Sequence, residues 1–188
     1  MFVIIVFIGV NKILTWKINK TTTQKVDRFE VIVDEVTLPN GDEKTFSYLQ
    51  FAKGVCILPI TIDHDILCLK QYRHALKSWQ WELPAGAIDP SDPSPLDTAK
   101  RELEEETGYS AEHWLELGSF YPSPGSTSEE IFLFAAAGLT PTSQQLENSE
   151  QIEVQKVSMK KLKSLITNGD FNHGAGLAAV MRYKFKTD

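Results

Sequence analysis

The sequence predicts a mixed α/β (α+β) chain, with a small N-terminal β-sheet element over residues 1–50 and an α/β domain over residues 51–188. Three observations carry this. β-Branched runs flank an Asn40-Gly41 pair, a short helix with marked ends opens at Ser94, and an apolar run at 131–137 reads as a buried strand.

The elements follow in order. Residues 29–38 are strand-like, Pro39-Asn40-Gly41-Asp42 supplies a turn, and residues 44–51 resume with alternating Phe46 and Tyr48, together a β-hairpin. A second strand pair is expected at 54–62 and 66–71 around Asp63-His64-Asp65. Ser94 suits an N-cap, Pro95 the first helical position and Asp97 the first turn, with Leu96, Ala99 and Leu103 as the core stripe. Helices are expected at 157–167 and 173–186, the last weakened at its start by Gly174 and Gly176.

An apolar fraction of 42% and a charged fraction of 23% over 188 residues are those of a soluble globular domain. A net charge of −6 argues against nucleic acid as a partner. Cys56 and Cys68 sit in apolar runs, as buried free thiols of a reducing cytoplasm do. His64, His74, His113 and His173 have no metal-ligand spacing and are read as structural or exposed. The apolar residues 2–10 are too short to span a bilayer and lack a clear cleavage site. They read as a buried or interface segment or a start-site artefact, with no stable membrane association.

The most informative stretch is Arg101 to Tyr109, in which Glu102, Glu104, Glu105 and Glu106 crowd a helix end before Gly108. Glu102 and Glu106 repel at i, i+4 spacing, and the helix dipole disfavours negative charge there. Glu102, Glu105 and Glu106 fall on one side and Glu104 points away. Either this is a solvated helix end or a divalent cation is missing from the sequence.

Arg101-Glu102-Leu103-Glu104-Glu105-Glu106-Thr107-Gly108-Tyr109 resembles the second half of the Nudix hydrolase motif without a departure. In the first half Gly86 matches, but Asp92 stands where the family has Glu, and the spacer to Arg101 is one residue longer. Gln71-Tyr72-Arg73, the run from Trp81 to Gly86, and Ser123-Pro124-Gly125 look like the ADP-ribose pyrophosphatase branch. The resemblance covers roughly residues 25–185 and implies a mixed β-sheet sandwiched between helices.

It also implies Mg²⁺ (Mn²⁺ as alternative) held by Glu102, Glu105, Glu106 and the Ala85 carbonyl, with Arg101 in the catalytic set orienting Glu105. Arg73 would contact phosphate, or is a surface cation. Glu82 lies by the substrate as support for the metal site, or faces solvent. The general base comes from the loop before residues 153–154: Glu150 first, Glu147 in reserve, with a solvated acidic loop as the plain alternative. Phe29 and Phe46 would sandwich the base across a homodimer, or are strand core. Glu129 would accept from a ribose hydroxyl, or caps a surface turn.

The implied reaction is hydrolysis of ADP-ribose to AMP and ribose 5-phosphate. Alternatives are a broader nucleoside diphosphate sugar hydrolase acting on GDP-mannose or ADP-glucose, and a non-catalytic nucleotide-sugar sensor.

Overall fold

The computed structural model describes residues 15–187, so the expectation for residues 2–10 lies outside the described residues. Two compact units divide at Gln50/Phe51.

The first unit is a three-stranded antiparallel sheet in the order β1 (Lys17–Val26), β2 (Phe29–Thr37), β3 (Glu43–Gln50). The predicted hairpin is β2–β3, but its connection spans 38–42, closed by Leu38 N–H to Asp42 O and Gly41 N–H to Leu38 O, and not a two-residue Asn-Gly turn. β1 was not expected. It is polar and exposed along its length, so no apolar alternation marks it, although Thr21, Thr22 and Thr23 are β-formers. On β2, Ile32, Asp34 and Val36 form the buried face, and Thr21 Oγ1 donates to Asp34 Oδ1 at 2.6 Å.

The second unit holds two sheets and three helices. One sheet runs β7 (Ala85–Ala87), β4 (Gly54–Pro59), β9 (Ile131–Pro141), β8 (Tyr109–Phe120); the other runs β10 (Ile152–Ser158), β5 (Asp65–Arg73), β6 (Ser78–Glu82). The helices are α1 (Pro95–Thr107), α2 (Met159–Thr167) and α3 (Gly174–Thr187). The strand pair predicted at 54–62 and 66–71 does not form one hairpin. β4 and β5 belong to different sheets, joined only by a bridge between Ile60 and Ile66. β4 pairs parallel with β9, and strands buried on both faces read as continuous apolar runs, which periodicity cannot place in a particular sheet.

β4 alternates between two cores. Val55 and Ile57 pack with Ala99 and Leu103 of α1 and with Phe134 and Ala136. Cys56 and Leu58 face a larger core with Ile66, Cys68, Leu133, Leu162, Phe171 and Ala179. The sheet is thus covered by α1 on one side and by the second sheet, α2 and α3 on the other. Val157 and Ser158 belong to the end of β10, so the helix predicted at 157–167 begins two residues later at Met159, capped by Ser158. β7 and β8 also lie outside the strands that the sequence predicts. Among the described residues no helix is long and apolar enough to cross a membrane.

Candidate active site

α1 begins as its sequence dictates: Ser94 is extended, its Oγ accepts from Asp97 N–H, and Pro95 opens the first turn. It ends at Gly108, whose φ of 71° is left-handed and suits glycine. The last carbonyls find donors outside the helix, Gln144 Nε2 to Glu106 O at 2.7 Å and Gln145 N–H to Glu105 O at 2.9 Å. The same contacts fasten the start of the loop carrying Glu147 and Glu150 to the acidic helix end.

Glu102 and Glu106 do not flank the core stripe in solvent: they are 9% and 2% exposed. Glu106 Oε2 accepts from Ala85 N–H at 2.8 Å. Arg101 Nη1 donates at 2.8 Å to both Glu102 Oε1 and Glu105 Oε2. Burial pushes the Glu106 carboxyl well above its ordinary pKa despite the Ala85 hydrogen bond, and nearby Glu102 and Glu150 push it further. Burial also raises Glu102, against the pull of Arg101.

The motif glycine has a steric cause. A Cβ added at Gly86 would fall inside the Glu102 carboxylate. Ala85 is positioned by register. Ile57 N–H bonds Pro84 O, so the pair Cys56–Ala85 is a non-hydrogen-bonded one, and the Ala85 N–H and C=O both turn outward from β4. We expect Gly86→Ala to destabilise the fold by about 1–3 kcal/mol, as overpacking does, and to displace Glu102. Chemical denaturation and steady-state kinetics read both effects.

Asp92, which departs from the family pattern, keeps a place in this network. Its Oδ2 accepts from Arg101 Nη2 at 3.1 Å and from Thr98 Oγ1 at 2.8 Å, and Asp89 N–H adds a third bond at 3.1 Å. These partners hold its carboxyl below the usual range, Arg101 contributing most. With the longer spacer, the Asp92 carboxylate reaches the Arg101 guanidinium. Its distance of six residues from Gly86 was the available signal.

Glu102, Glu105, Glu106, Glu147 and Glu150 line one cavity of about 610 Å³ with Asp89 and Asp92, and Arg101 is the one cation in that lining. Glu150 folds back, its Oε2 accepting from Glu147 N–H at 2.9 Å. Arg73, at the end of β5, makes a two-pronged ion pair with Glu82 of β6, Nε to Oε1 at 2.9 Å and Nη2 to Oε2. Glu82 is 5% exposed, which removes the solvent-facing alternative. Neither lines the acidic cavity, although the Arg73 charge is felt at Glu106. Glu129 is also outside that lining, part-buried in the loop before β9, where burial raises its carboxyl.

Phe29 and Phe46 do not face each other within one sheet. Phe46 pairs with Asp34, five residues along β2 from Phe29, so their side chains leave opposite faces. Phe46 lies edge-on to Trp16 at 5.5 Å, and Arg28 sits over the Phe29 ring at 4.8 Å.

Among the described residues no three His, Cys, Asp or Glu side chains already converge as a ligand set. Arg101 holds Glu102 and Glu105, and Ala85 N–H holds Glu106. The donor chemistry nonetheless fits a hard divalent cation: the cavity offers oxygen donors, carries a large excess of negative charge, and keeps two carboxylates buried at raised pKa. A consequence is testable by pH. With its folded pKa above 4.5, Glu106 binds more protons in the native than in the unfolded state as pH climbs from there. Its contribution to stability therefore falls as pH rises from about 4.5 through the raised value. Unfolding of cation-free protein across pH, wild type against Glu106→Gln, should show a steeper slope in wild type, the raised Glu102 carboxyl leaving a smaller one of the same sign in the variant, with added divalent cation reducing both.

Residues 50–179 match the NUDIX domain, and the chain belongs to that family. It is a Nudix hydrolase, a class of enzymes that work with a divalent cation. It is 33% identical over 139 residues to an ADP-ribose pyrophosphatase of Bacillus subtilis (strain 168), covering 73% of this chain and 75% of that protein. A methanol dehydrogenase activator of Bacillus methanolicus is 41% identical over 108 residues, 57% of this chain and 58% of that protein. The fold matches a crystal structure of an ADP compounds hydrolase with a TM-score of 0.82 at 22% identity, covering 91% of this chain and 93% of that one. The predicted Nudix fold therefore holds.

Proposed function

We propose that this enzyme hydrolyses the pyrophosphate of ADP-ribose or a closely related nucleoside diphosphate sugar, giving a nucleoside monophosphate (AMP from ADP-ribose) and a sugar phosphate. One observation carries the reading: a buried, mutually repelling Glu102–Glu106 pair set against the outward-turned backbone of Ala85, in a cavity where carboxylates far outnumber cations. The relatives named above supply the substrate class.

Glu102, Glu105, Glu106 and the Ala85 carbonyl would hold Mg²⁺, with Mn²⁺ as a substitute. A bound divalent cation neutralises phosphate charge and acidifies water. The chain's own residues do the rest. Arg101, tied to Asp92, orients Glu105 and Glu102. Arg73, kept charged chiefly by its hydrogen bond to Glu82, attracts a phosphate oxygen. Glu150 takes the proton of the attacking water, and its loop, pinned at Gln144 and Gln145, shields the site from bulk solvent.

The N-terminal sheet serves as the dimerisation element of a homodimer. Because Phe29 and Phe46 leave opposite faces, a sandwich around one base takes one ring from each copy. Glu129 is the candidate for a ribose hydroxyl. A cytoplasmic setting agrees with two buried free cysteines, burial pushing the Cys68 thiol up to about 12.

The test is product analysis over ADP-ribose, ADP-glucose, GDP-mannose, FAD, NADH and diadenosine polyphosphates, with Mg²⁺ or Mn²⁺. ADP-ribose should give the highest kcat/KM, with AMP and ribose 5-phosphate as products. Equal rates on GDP-mannose and ADP-glucose would favour a broad sugar specificity. Sedimentation at micromolar concentration should show a dimer; a fully active monomer would remove the shared base site.

A further inference from the structure

The segment that carries Ala85 is held residue by residue. Glu82 is fixed by Arg73, Pro84 O accepts from Ile57 N–H at 2.9 Å, and Ala85 N–H is held by Glu106. Leu83, 1% exposed, has its own anchor from the far end of the chain: its N–H donates to Nδ1 of His173 at 3.1 Å. His173 stands at the start of α3, where its carbonyl accepts from Leu177 N–H at 2.9 Å. One residue thus begins α3 with its backbone and grips the segment before Ala85 with its ring.

A histidine is suited to this. Accepting at Nδ1 puts the ring proton on Nε2, and burial lowers the imidazole pKa, keeping Nδ1 free of a proton at neutral pH. The fit is deliberate on the helix side as well. A Cβ at Gly176 would meet Phe171 Cζ at 2.7 Å and His173 Nδ1 at 3.0 Å, so the glycine that costs helix propensity there makes room for the ring. The charged neighbours are Glu82 of β6 and Arg73 of β5, an ion pair that lines the same cavity as His173.

We propose that His173 is a positioning residue for the active site: by accepting from Leu83 N–H it sets the backbone of Leu83–Ala85, and through Ala85 it sets Glu106. This rests on the hydrolase reading above for its kinetic consequence, while the hydrogen bond itself is testable without substrate.

The experiment compares wild type with His173→Asn, His173→Gln and His173→Leu. Asn carries an acceptor at the position of Nδ1, Gln carries it one bond further out, and Leu carries none. In chelator-treated protein, amide hydrogen exchange at Leu83 should be about tenfold faster in His173→Leu and His173→Gln, the scale of one lost hydrogen bond. It should stay near wild type in His173→Asn. With ADP-ribose and Mg²⁺, kcat should fall in parallel by about tenfold, KM should change little, and His173→Asn should restore kcat. Unchanged Leu83 exchange in His173→Leu would overturn the proposal. So would folded Asn and Gln variants that behave alike, and this pair decides the matter even if the Leu variant does not fold. A wild type that leaves ADP-ribose intact would refute the substrate reading, while the exchange comparison would still decide the hydrogen bond.

Discussion

Glu106→Gln should lower kcat by roughly 10³-fold while leaving the fold intact, since a lost ligand charge removes several kcal/mol of transition-state stabilisation. The amide keeps an acceptor for Ala85 N–H, now at 2.8 Å from Oε2, so the local backbone has no reason to move. What disappears is a negative charge buried to 2% exposure beside Glu102. Cation-free protein should therefore become more stable, by about 1 kcal/mol after relaxation, or about 2–4 °C in Tm for a chain of this size. Activity and stability are expected to move in opposite directions, which distinguishes a ligand from an ordinary core residue. Calorimetric unfolding with and without Mg²⁺, beside steady-state rates, reads both. Unchanged turnover at saturating Mg²⁺ would end the metal role of Glu106.

Glu150→Gln is expected to cut kcat by about 10²–10⁴, the usual contribution of a positioned base. Affinity for the cation should hardly change, because Glu102, Glu105 and Glu106 remain. Substrate affinity should hold or rise, since one negative charge leaves a cavity already rich in them. The loop should keep its shape, as a glutamine oxygen still accepts from Glu147 N–H, the bond that Glu150 Oε2 now makes at 2.9 Å. Rescue by high Mn²⁺ would instead make Glu150 a cation ligand. A rate within threefold of wild type would transfer the proton-accepting role to Glu105 or Glu147.

The parts of the molecule legible in the sequence are those governed by local chemistry. Ser94, Pro95 and Gly108 fixed the ends of α1 because caps act over three or four residues. The Arg101–Tyr109 spacing placed the carboxylates on one side for the same reason. Strand partners were not legible, because a fully apolar run such as Val55-Cys56-Ile57-Leu58 carries no face-specific pattern. Sequence alone therefore reads β4 and β5 as one strand pair, whereas they lie in different sheets. β1 escaped because an exposed polar strand has no periodicity to show.

Within the site, the burial of Glu102 and Glu106 was hidden as well, since isolated helix rules count them as surface neighbours. Their burial comes from the Ala85-Gly86 segment closing over them, a contact across about twenty residues of sequence. The Arg73–Glu82 pair is not a direct cross-strand pair: Arg73 lies opposite Ser78 and Glu82 opposite Leu69, so the guanidinium reaches back along one face of the sheet, which sequence does not reveal. Asp92 and His173 were visible as residues but had no role that a local rule could give. Each acts by gripping another residue, Arg101 in one case and Leu83 in the other.

The most direct test of the central claim is hydrolysis of ADP-ribose by chelator-stripped enzyme before and after restoring Mg²⁺, with AMP and ribose 5-phosphate quantified together. No turnover in chelator, and equimolar appearance of the two products on adding the cation, is the predicted result. Equal turnover in chelator, or no product from ADP-ribose with either Mg²⁺ or Mn²⁺, would contradict it.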